Sequence, residues 1–335
     1  MTHDPSEYVR QLQQLLVSDK KRIGFLFGAG TSFAKKNANS LFVPCISQLT
    51  QDIEKTISSC NSKYKHAIGE VKTEIGIDKF TVESLLSNLE QKSQIIGKGK
   101  LNKLNKADFD DLIILIKGKI REKVSIHANL KINDLIHVDF AEWILKADRH
   151  YPIEIFTTNY DYLLEFALEY KRIPYYDGFT GSFKPFFNSD SVEDMNFLPG
   201  QTKLWKIHGS LGWQFDEVSR NVLRRGTEGD ELLIYPSTLK YTDSKKQPYT
   251  SLGDRLTNFL KQPDSILIVC GYSFGDEHIN ERITTALRSN ISSHVYVLFY
   301  DIKHSDYKKI EYLLTEDLIP GKFAIRNNKI SVWGC

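Results

Sequence analysis

Gly28-Ala29-Gly30 stands directly after an uncharged apolar run, Ile23 to Phe27, and is followed by Thr31 and Ser32. Glycines in such a turn tolerate positive φ and let backbone N–H groups approach a ligand with no Cβ in the way. A helix starting there, with Thr31 and Ser32 as caps and hydroxyl donors, would attract phosphate through its unpaired N–H groups and partial positive charge. A tight strand-to-helix turn with no ligand is the other reading. The three-glycine dinucleotide fingerprint is incomplete and no Gly-Lys-Ser/Thr follows, so a phosphate site here is of another type. Asn159 offers a neutral amide with both donor and acceptor. It stands two residues before Asp161, and an Asx turn or a first-turn helix carboxylate would explain the pair equally. His208 is a candidate general base, because a free imidazole titrates near neutrality, at about 6.5, or it is a structural histidine. A second turn, Gly271-Tyr272-Ser273-Phe274-Gly275-Asp276, brings a hydroxyl at Ser273, and Asp301 follows another apolar run. Cys45, Cys60, Cys270 and Cys335 form no C-x-x-C pair, and the remaining histidines show no metal spacing, so no metal site is expected.

The elements that must carry these residues read as alternating strand and helix. Residues 3–20 form an opening amphipathic helix, with Tyr8, Leu12, Leu15 and Leu16 at helical spacing. Ile23–Phe27 is a strand buried on both faces, as in a parallel sheet. From 44 to 147 the pattern is helical: Ile46, Leu49, Ile53 and Ile57 keep one face, Phe80 to Leu89 another with Thr81 as cap, and 109–126 and 133–146 complete the block. Lys92 to Lys106 reads as a solvated loop. Strands follow at 153–157, 204–207, 232–235, 266–270, 294–299 and 330–333, and helices at 160–170, 251–261, 277–289 and 305–314. Residues 174–199 read as irregular, a lid or a substrate wall. The fold predicted is α/β, a Rossmann-like doubly wound parallel sheet, with 1–43 and 148–335 as the core and 44–147 as a helical insertion. Gly28-Ala29-Gly30, Asn159 with Asp161, His208, Gly271 with Ser273, and Asp301 then all fall at carboxyl ends of strands, where such sheets bind ligands.

The 335 residues are 41% hydrophobic and 26% charged, the balance of a globular protein. Lys plus Arg exceeds Asp plus Glu by 44 − 42 = 2, which argues against nucleic acid as an obligate partner. No apolar run approaches the roughly 20 residues of a membrane span. The first residues carry acids and no apolar signal core, so a cytoplasmic location with reduced thiols is expected.

In this order the motifs resemble those of the sirtuin (Sir2) superfamily. GAGTS at 28–32 resembles its Gly-Ala-Gly-x-Ser turn, TTNYD at 157–161 its Thr-Gln-Asn-x-Asp segment, IHGS at 207–210 its His-Gly element, and GYSFGD at 271–276 its Gly-Thr-Ser turn. The Gly-Ile-Pro-Asp-Phe-Arg stretch and the four zinc cysteines of the protein deacylases are absent, the helical block standing in place of the zinc module, and Thr158 replaces a glutamine. In these departures the chain resembles the Sir2-like NADase domains of bacterial anti-phage defence systems. The resemblance implies NAD+ as substrate and hydrolysis to nicotinamide and ADP-ribose. Asn159 would orient water and ribose, and His208 would act as base. Asp161 would bind the nicotinamide carboxamide or support Asn159. Gly28, Ala29, Gly30, Thr31 and Ser32 would grip phosphate, Gly271 and Ser273 the other side of the pyrophosphate and its ribose, and Asp301 a ribose hydroxyl. It also implies a homo-oligomer and a separately encoded ATPase or nucleic-acid-sensing partner. A zinc-free deacylase or ADP-ribosyltransferase, and a non-catalytic NAD+ or ADP-ribose sensor, are the alternatives.

Overall fold

The structure, a computed structural model, describes residues 5–37, 40–225, 247–299 and 330–334. The predicted strand at 232–235, the predicted helix at 305–314 and Asp301 lie outside the described residues. Seven strands form one sheet: β1 (Arg22–Phe27), β2 (Glu154–Thr157), β3 (Tyr175–Tyr176), β6 (Thr202–Lys206), β9 (Ser265–Cys270), β10 (His294–Phe299) and β11 (Ile330–Gly334). Their order is β11-β10-β9-β1-β2-β6-β3, and every pairing is parallel. The chain moves outward from β1 through β2 to the edge strand β3, steps back to β6 between them, then crosses to β9 on the other flank of β1. The gap between β1 and β9 is therefore the topological switch point, where open α/β sheets bind ligands.

Side chains alternate between two buried clusters, as a two-sided sheet requires. Ile23, Phe25 and Phe27 of β1, Ile155 of β2 and Ile268 of β9 enter one; Leu26, Phe156, Leu267 and Val269 enter the other. The first cluster runs without a break into the helical block: α3 (Ile46–Cys60), α4 (Ser62–Ile75), α5 (Val82–Ile95), α6 (Lys106–Val124) and α7 (His137–Lys146). Arg149 closes this excursion. Its guanidinium donates to the carbonyls of Leu16, Ser18 and Lys21, holding the block's exit beside the end of α1 (Pro5–Val17) and the start of β1. The second cluster is roofed by α10 (Tyr249–Lys261) and α11 (Glu277–Ser289). Gly24 lets Phe259 of α10 lie on β1, since a Cβ there would stand 2.7 Å from the ring.

Several expectations are corrected. The helix foreseen from 160 begins at Leu163, as α8 (Leu163–Tyr170), because Asp161 first turns the chain by accepting the Leu163 N–H. Residues 174–199 are not wholly irregular. They supply β3, β4 (Phe179–Thr180), β5 (Phe186–Phe187) and α9 (Ser189–Glu193), and with the hairpin β7 (Trp213–Asp216) and β8 (Asn221–Arg224) they build a four-stranded antiparallel sheet. Lys92 belongs to α5 rather than to a solvated loop: its ammonium reaches Glu74 and Asn102.

Candidate active site

The sheet register assembles the site. Cys270, Phe27, Thr157 and Lys206 lie in one row across β9, β1, β2 and β6. The residues that follow each of them, Gly271, Gly28, Thr158 and the Ile207-His208 pair, therefore leave the sheet at one level. Between them opens a cleft of ≈ 530 Å³, inside the range of about 300–1,000 Å³ for small-molecule sites. Ala29, Gly30, Ser32, Asn159, Asp161, His208, Gly271 and Ser273 all line it. Gly28, which is buried, and Thr31, which is half-buried, do not.

The glycines answer first to packing. Gly28 has an extended φ of −106°, and Gly30 is not among the positive-φ residues. A Cβ on Gly28 would stand 2.5 Å from the Gly271 carbonyl oxygen, and one on Gly271, at φ +63°, would stand 2.6 Å from the Thr31 nitrogen. The Gly30 N–H donates to the Gly271 carbonyl (2.9 Å), and the Gly28 N–H to Cys270 (3.0 Å). The two turns interlock backbone to backbone, and only glycine fits between them.

That interlock bears on the phosphate grip expected at residues 28–32. The N–H groups of Gly28, Gly30 and Thr31 are engaged within the protein, Thr31 with the Gly28 carbonyl. The helix that follows, α2 (Ala29–Phe33), is five residues long, with a correspondingly small dipole. Thr31 donates its hydroxyl to the Gly28 carbonyl (2.8 Å). Ser32 donates its single hydroxyl proton to Asp161 (2.6 Å), so neither side chain is left as a phosphate donor. The Ala29 N–H, exposed to the cleft, has no partner among the described residues. On the opposite side, the loop from 271 alternates. Tyr272, Phe274 and Asp276 are buried, while Gly271, Ser273 and Gly275 face out, and the N–H groups of Ser273 and Gly275 have no partner among the described residues. Anion-binding capacity therefore sits mostly on this loop.

Asn159 is locked. Its Nδ2 donates to the Gly28 carbonyl (3.0 Å), Thr31 Oγ1 (3.2 Å) and Ser32 Oγ (2.8 Å). The Gly28 carbonyl can only accept, so the end of the amide that meets it is the NH2, the amide cannot be turned around, and Oδ1 is the end left for the cleft. Asp161 is buried, with one oxygen on Ser32 and the other on the Leu163 N–H (3.0 Å). Of the two roles expected for Asp161, its bonds fit the support of Asn159 through Ser32. Lys206 fixes this corner from below, bonding the Asp161 carbonyl and Glu165, whose carboxyl is pushed up by burial. His137, buried behind the corner, is held below its ordinary pKa by desolvation, against the opposing charge of Asp161.

His208 stands at the end of β6, where Gly209 at φ +94° turns the chain away. Its Nε2 lies 2.9 Å from Oδ2 of Asp276. The other oxygen of Asp276 caps α11, accepting from His278 (3.0 Å) and Ile279 (3.4 Å). Sequence reasoning did not assign Asp276 a role at His208. The acid before Glu277-His278 is a signal that a helix cap already explains.

The far wall of the cleft was also not foreseen. It comes from the helical block: Pro44 to Ile46 at the start of α3, and Thr81, Glu83 and Ser84 at the start of α5. Cys45 caps α3 with its thiol 3.2 Å from Ser47 Oγ, a contact that lowers the thiol pKa. Burial, with the charges of Glu83 and Asp161, pushes the Tyr160 phenol up. Among the described residues no group of His, Cys, Asp and Glu side chains is arranged to hold a metal ion. Nor is any helix among them long and apolar enough to cross a membrane.

Comparison with known proteins matches a family model described as a SIR2-like domain to residues 153–318. The match takes in Asn159, Asp161, His208, the second glycine turn and Asp276, while the first glycine turn and the helical wall precede it. No curated protein matches the chain.

Proposed function

We propose, from the premise that this chain carries a SIR2-like domain and with it a use of NAD+, that the cleft hydrolyses NAD+ to nicotinamide and ADP-ribose. The observation that carries the reading is the shared cleft. A locked amide with its oxygen turned inward, an imidazole backed by a carboxylate, and a glycine loop with unengaged N–H groups line one cavity. The pyrophosphate rests on the Ser273 and Gly275 N–H groups, with Ala29 opposite. Asn159 Oδ1 accepts a hydrogen bond from the attacking water or a ribose hydroxyl. The bond between ribose C1′ and the nicotinamide nitrogen breaks, its electron pair leaves with the ring, and the sugar passes through an oxocarbenium-like state. Water adds to C1′ and its proton goes to His208.

Two features support hydrolysis over transfer to a protein lysine. The first is the absence of the deacylase cysteines from the sequence; the second is the helical wall across the cleft from Asn159. We infer that NAD+ depletion on phage infection is the biological use, as the resemblance implies. The test is to incubate the purified protein with NAD+ and follow nicotinamide. Release by the parent and a loss of at least roughly 10²-fold in both Asn159→Ala and His208→Ala are expected, the scale of removing a positioned acid–base group. Release that survives both substitutions removes the mechanism.

A further inference from the structure

The helical wall brings the cleft a cation that the mechanism above does not use. Lys79 ends a short helical turn, Ile77–Lys79, just ahead of α5, and lines the cavity beside Thr81 and Ser84. Its backbone is held on both sides. The N–H donates to the Gly76 carbonyl (3.1 Å), and the carbonyl accepts the hydroxyl of Ser84 (3.0 Å), the serine that closes the α5 capping box. The side chain is exposed, and no hydrogen bond or ion pair ties its ammonium to another of the described residues.

The charges sharing the cavity give that ammonium its use. Three carboxylates line the cleft, Glu83, Asp161 and Asp276, and Lys79 is the one lysine or arginine among the described residues that does. A dinucleotide brings two more negative charges on its pyrophosphate. The N–H groups of Ser273 and Gly275 offer phosphate hydrogen bonds but only partial charge. An ammonium on a long flexible stem supplies a full one, and charge-assisted bonds to phosphate are the stronger kind.

We propose that Lys79 is a substrate-binding residue that holds the pyrophosphate, and that it makes the site select nicotinamide dinucleotide over the phosphate-free nicotinamide riboside. This rests on the NAD+ hydrolysis described above. Both compounds have the same C1′–N bond and the same cationic ring, so Asn159 and His208 act on them alike. They differ in the phosphates that meet Lys79. The charge on the pyrophosphate does not change as the C1′–N bond breaks, so the contact is equally strong before and during cleavage. It lowers KM and leaves kcat alone. Lys79 also lies outside residues 153–318, which match the SIR2-like model. The helical block thus contributes to substrate binding as well as enclosing the cleft.

Lys79→Met keeps an unbranched apolar stem and removes the charge. The KM for NAD+ is expected to rise about 10-fold at unchanged kcat, the scale of losing one hydrogen bond between charged groups. ADP-ribose, which keeps the pyrophosphate and lacks the nicotinamide, is expected to bind about 10-fold more weakly. The kcat/KM for nicotinamide riboside and the unfolding temperature are expected to stay at parent values. Lys79→Arg, which keeps the charge, is expected to hold the NAD+ KM close to the parent's, and added salt to narrow the gap between parent and Lys79→Met. A parent-level KM for NAD+ in Lys79→Met overturns the assignment while leaving the hydrolysis intact. A loss that falls on kcat, or equally on NAD+ and nicotinamide riboside, also overturns it, by showing Lys79 to be wall alone. A parent that releases no nicotinamide instead overturns the hydrolysis. The ADP-ribose titration then decides for Lys79: weaker binding by Lys79→Met supports the phosphate contact, and equal binding overturns it.

Discussion

Replacing Asp276 by asparagine separates the two jobs of that carboxylate. Oδ1 accepts the His278 and Ile279 N–H groups at the start of α11, and Oδ2 meets His208 Nε2 at 2.9 Å. Asparagine caps a helix about as well as aspartate, so the cap survives within a few tenths of a kcal/mol. The helix N–H groups demand an oxygen, which turns the new NH2 toward His208. Facing the carboxylate, Nε2 is the donor and Nδ1 the basic nitrogen; facing an NH2, Nε2 must accept, and the ring proton moves to Nδ1. The base nitrogen is lost without loss of the ring. The imidazolium formed when water gives up its proton also loses a partner charge worth about 4 kcal/mol at a 4 Å separation and an effective dielectric of 20. Together these imply a fall of about 10²- to 10³-fold in kcat for nicotinamide release, with an unfolding temperature near the parent's. Asp276→Ala is expected to lose activity and roughly 1 kcal/mol of cap stability as well. An Asp276→Asn protein that turns over at the parent rate refutes the tautomer argument. So does one whose lost activity is matched by lost stability, because the carboxylate would then serve the fold alone.

Ser32→Ala leaves one buried oxygen of Asp161 and one contact of the Asn159 amide unmet; a loss of about 1–3 kcal/mol in urea unfolding is expected, with turnover falling as well. Arg255 is buried and bidentate to Glu154, whose carboxylate also accepts the Trp205 indole N–H. Arg255→Met strands that buried charge, and denaturant titration is expected to show a cost of about 3–5 kcal/mol, largely recovered when Glu154 is neutralised in the same chain. His137 is buried with its pKa lowered by desolvation. Above the unfolded value of about 6.5 both states are neutral and nothing is lost. As pH falls below 6.5 toward the depressed folded value, the unfolded chain takes up a proton that the folded one refuses, so stability falls by up to about 1.4 kcal/mol per pH unit. Melting curves between pH 7.5 and 5.5 are expected to show this slope, and His137→Phe to reduce it.

The long strands were legible because they bury both faces. Ile23 to Phe27 and Ile266 to Cys270 are unbroken apolar runs, and their two sides enter separate clusters. The two-residue strands β3, β4 and β5 leave no periodicity to read, because alternation needs about four residues before it differs from chance. The β7–β8 hairpin did carry a signal. It was a weak one: Trp213 and Phe215 lie on one face of β7, yet Trp213 is buried and Phe215, opposite Val222, is exposed, so burial does not alternate along the strand. The loop between them, with Arg220 at φ +53°, has none of the Asn-Gly or Asp-Gly signs that announce a hairpin.

The candidate site was legible for a related reason: polar residues that line the cleft end strands, and parallel register brings strand ends together whatever their distance along the chain. Reading a motif, however, says that a residue is required and not what requires it. Gly28 and Gly30 read as ligand glycines, yet the tightest neighbour of each is Gly271, so the same residues would be needed with no phosphate present. Asn159 reads as the water-orienting amide, and its donors are in fact spent on the first turn. The two facts are linked. Because the interlocked turns present the Gly28 carbonyl to Nδ2, the amide has one orientation, and that orientation offers the cleft an acceptor. The packing of backbone against backbone thus determines which end of Asn159 faces the cleft.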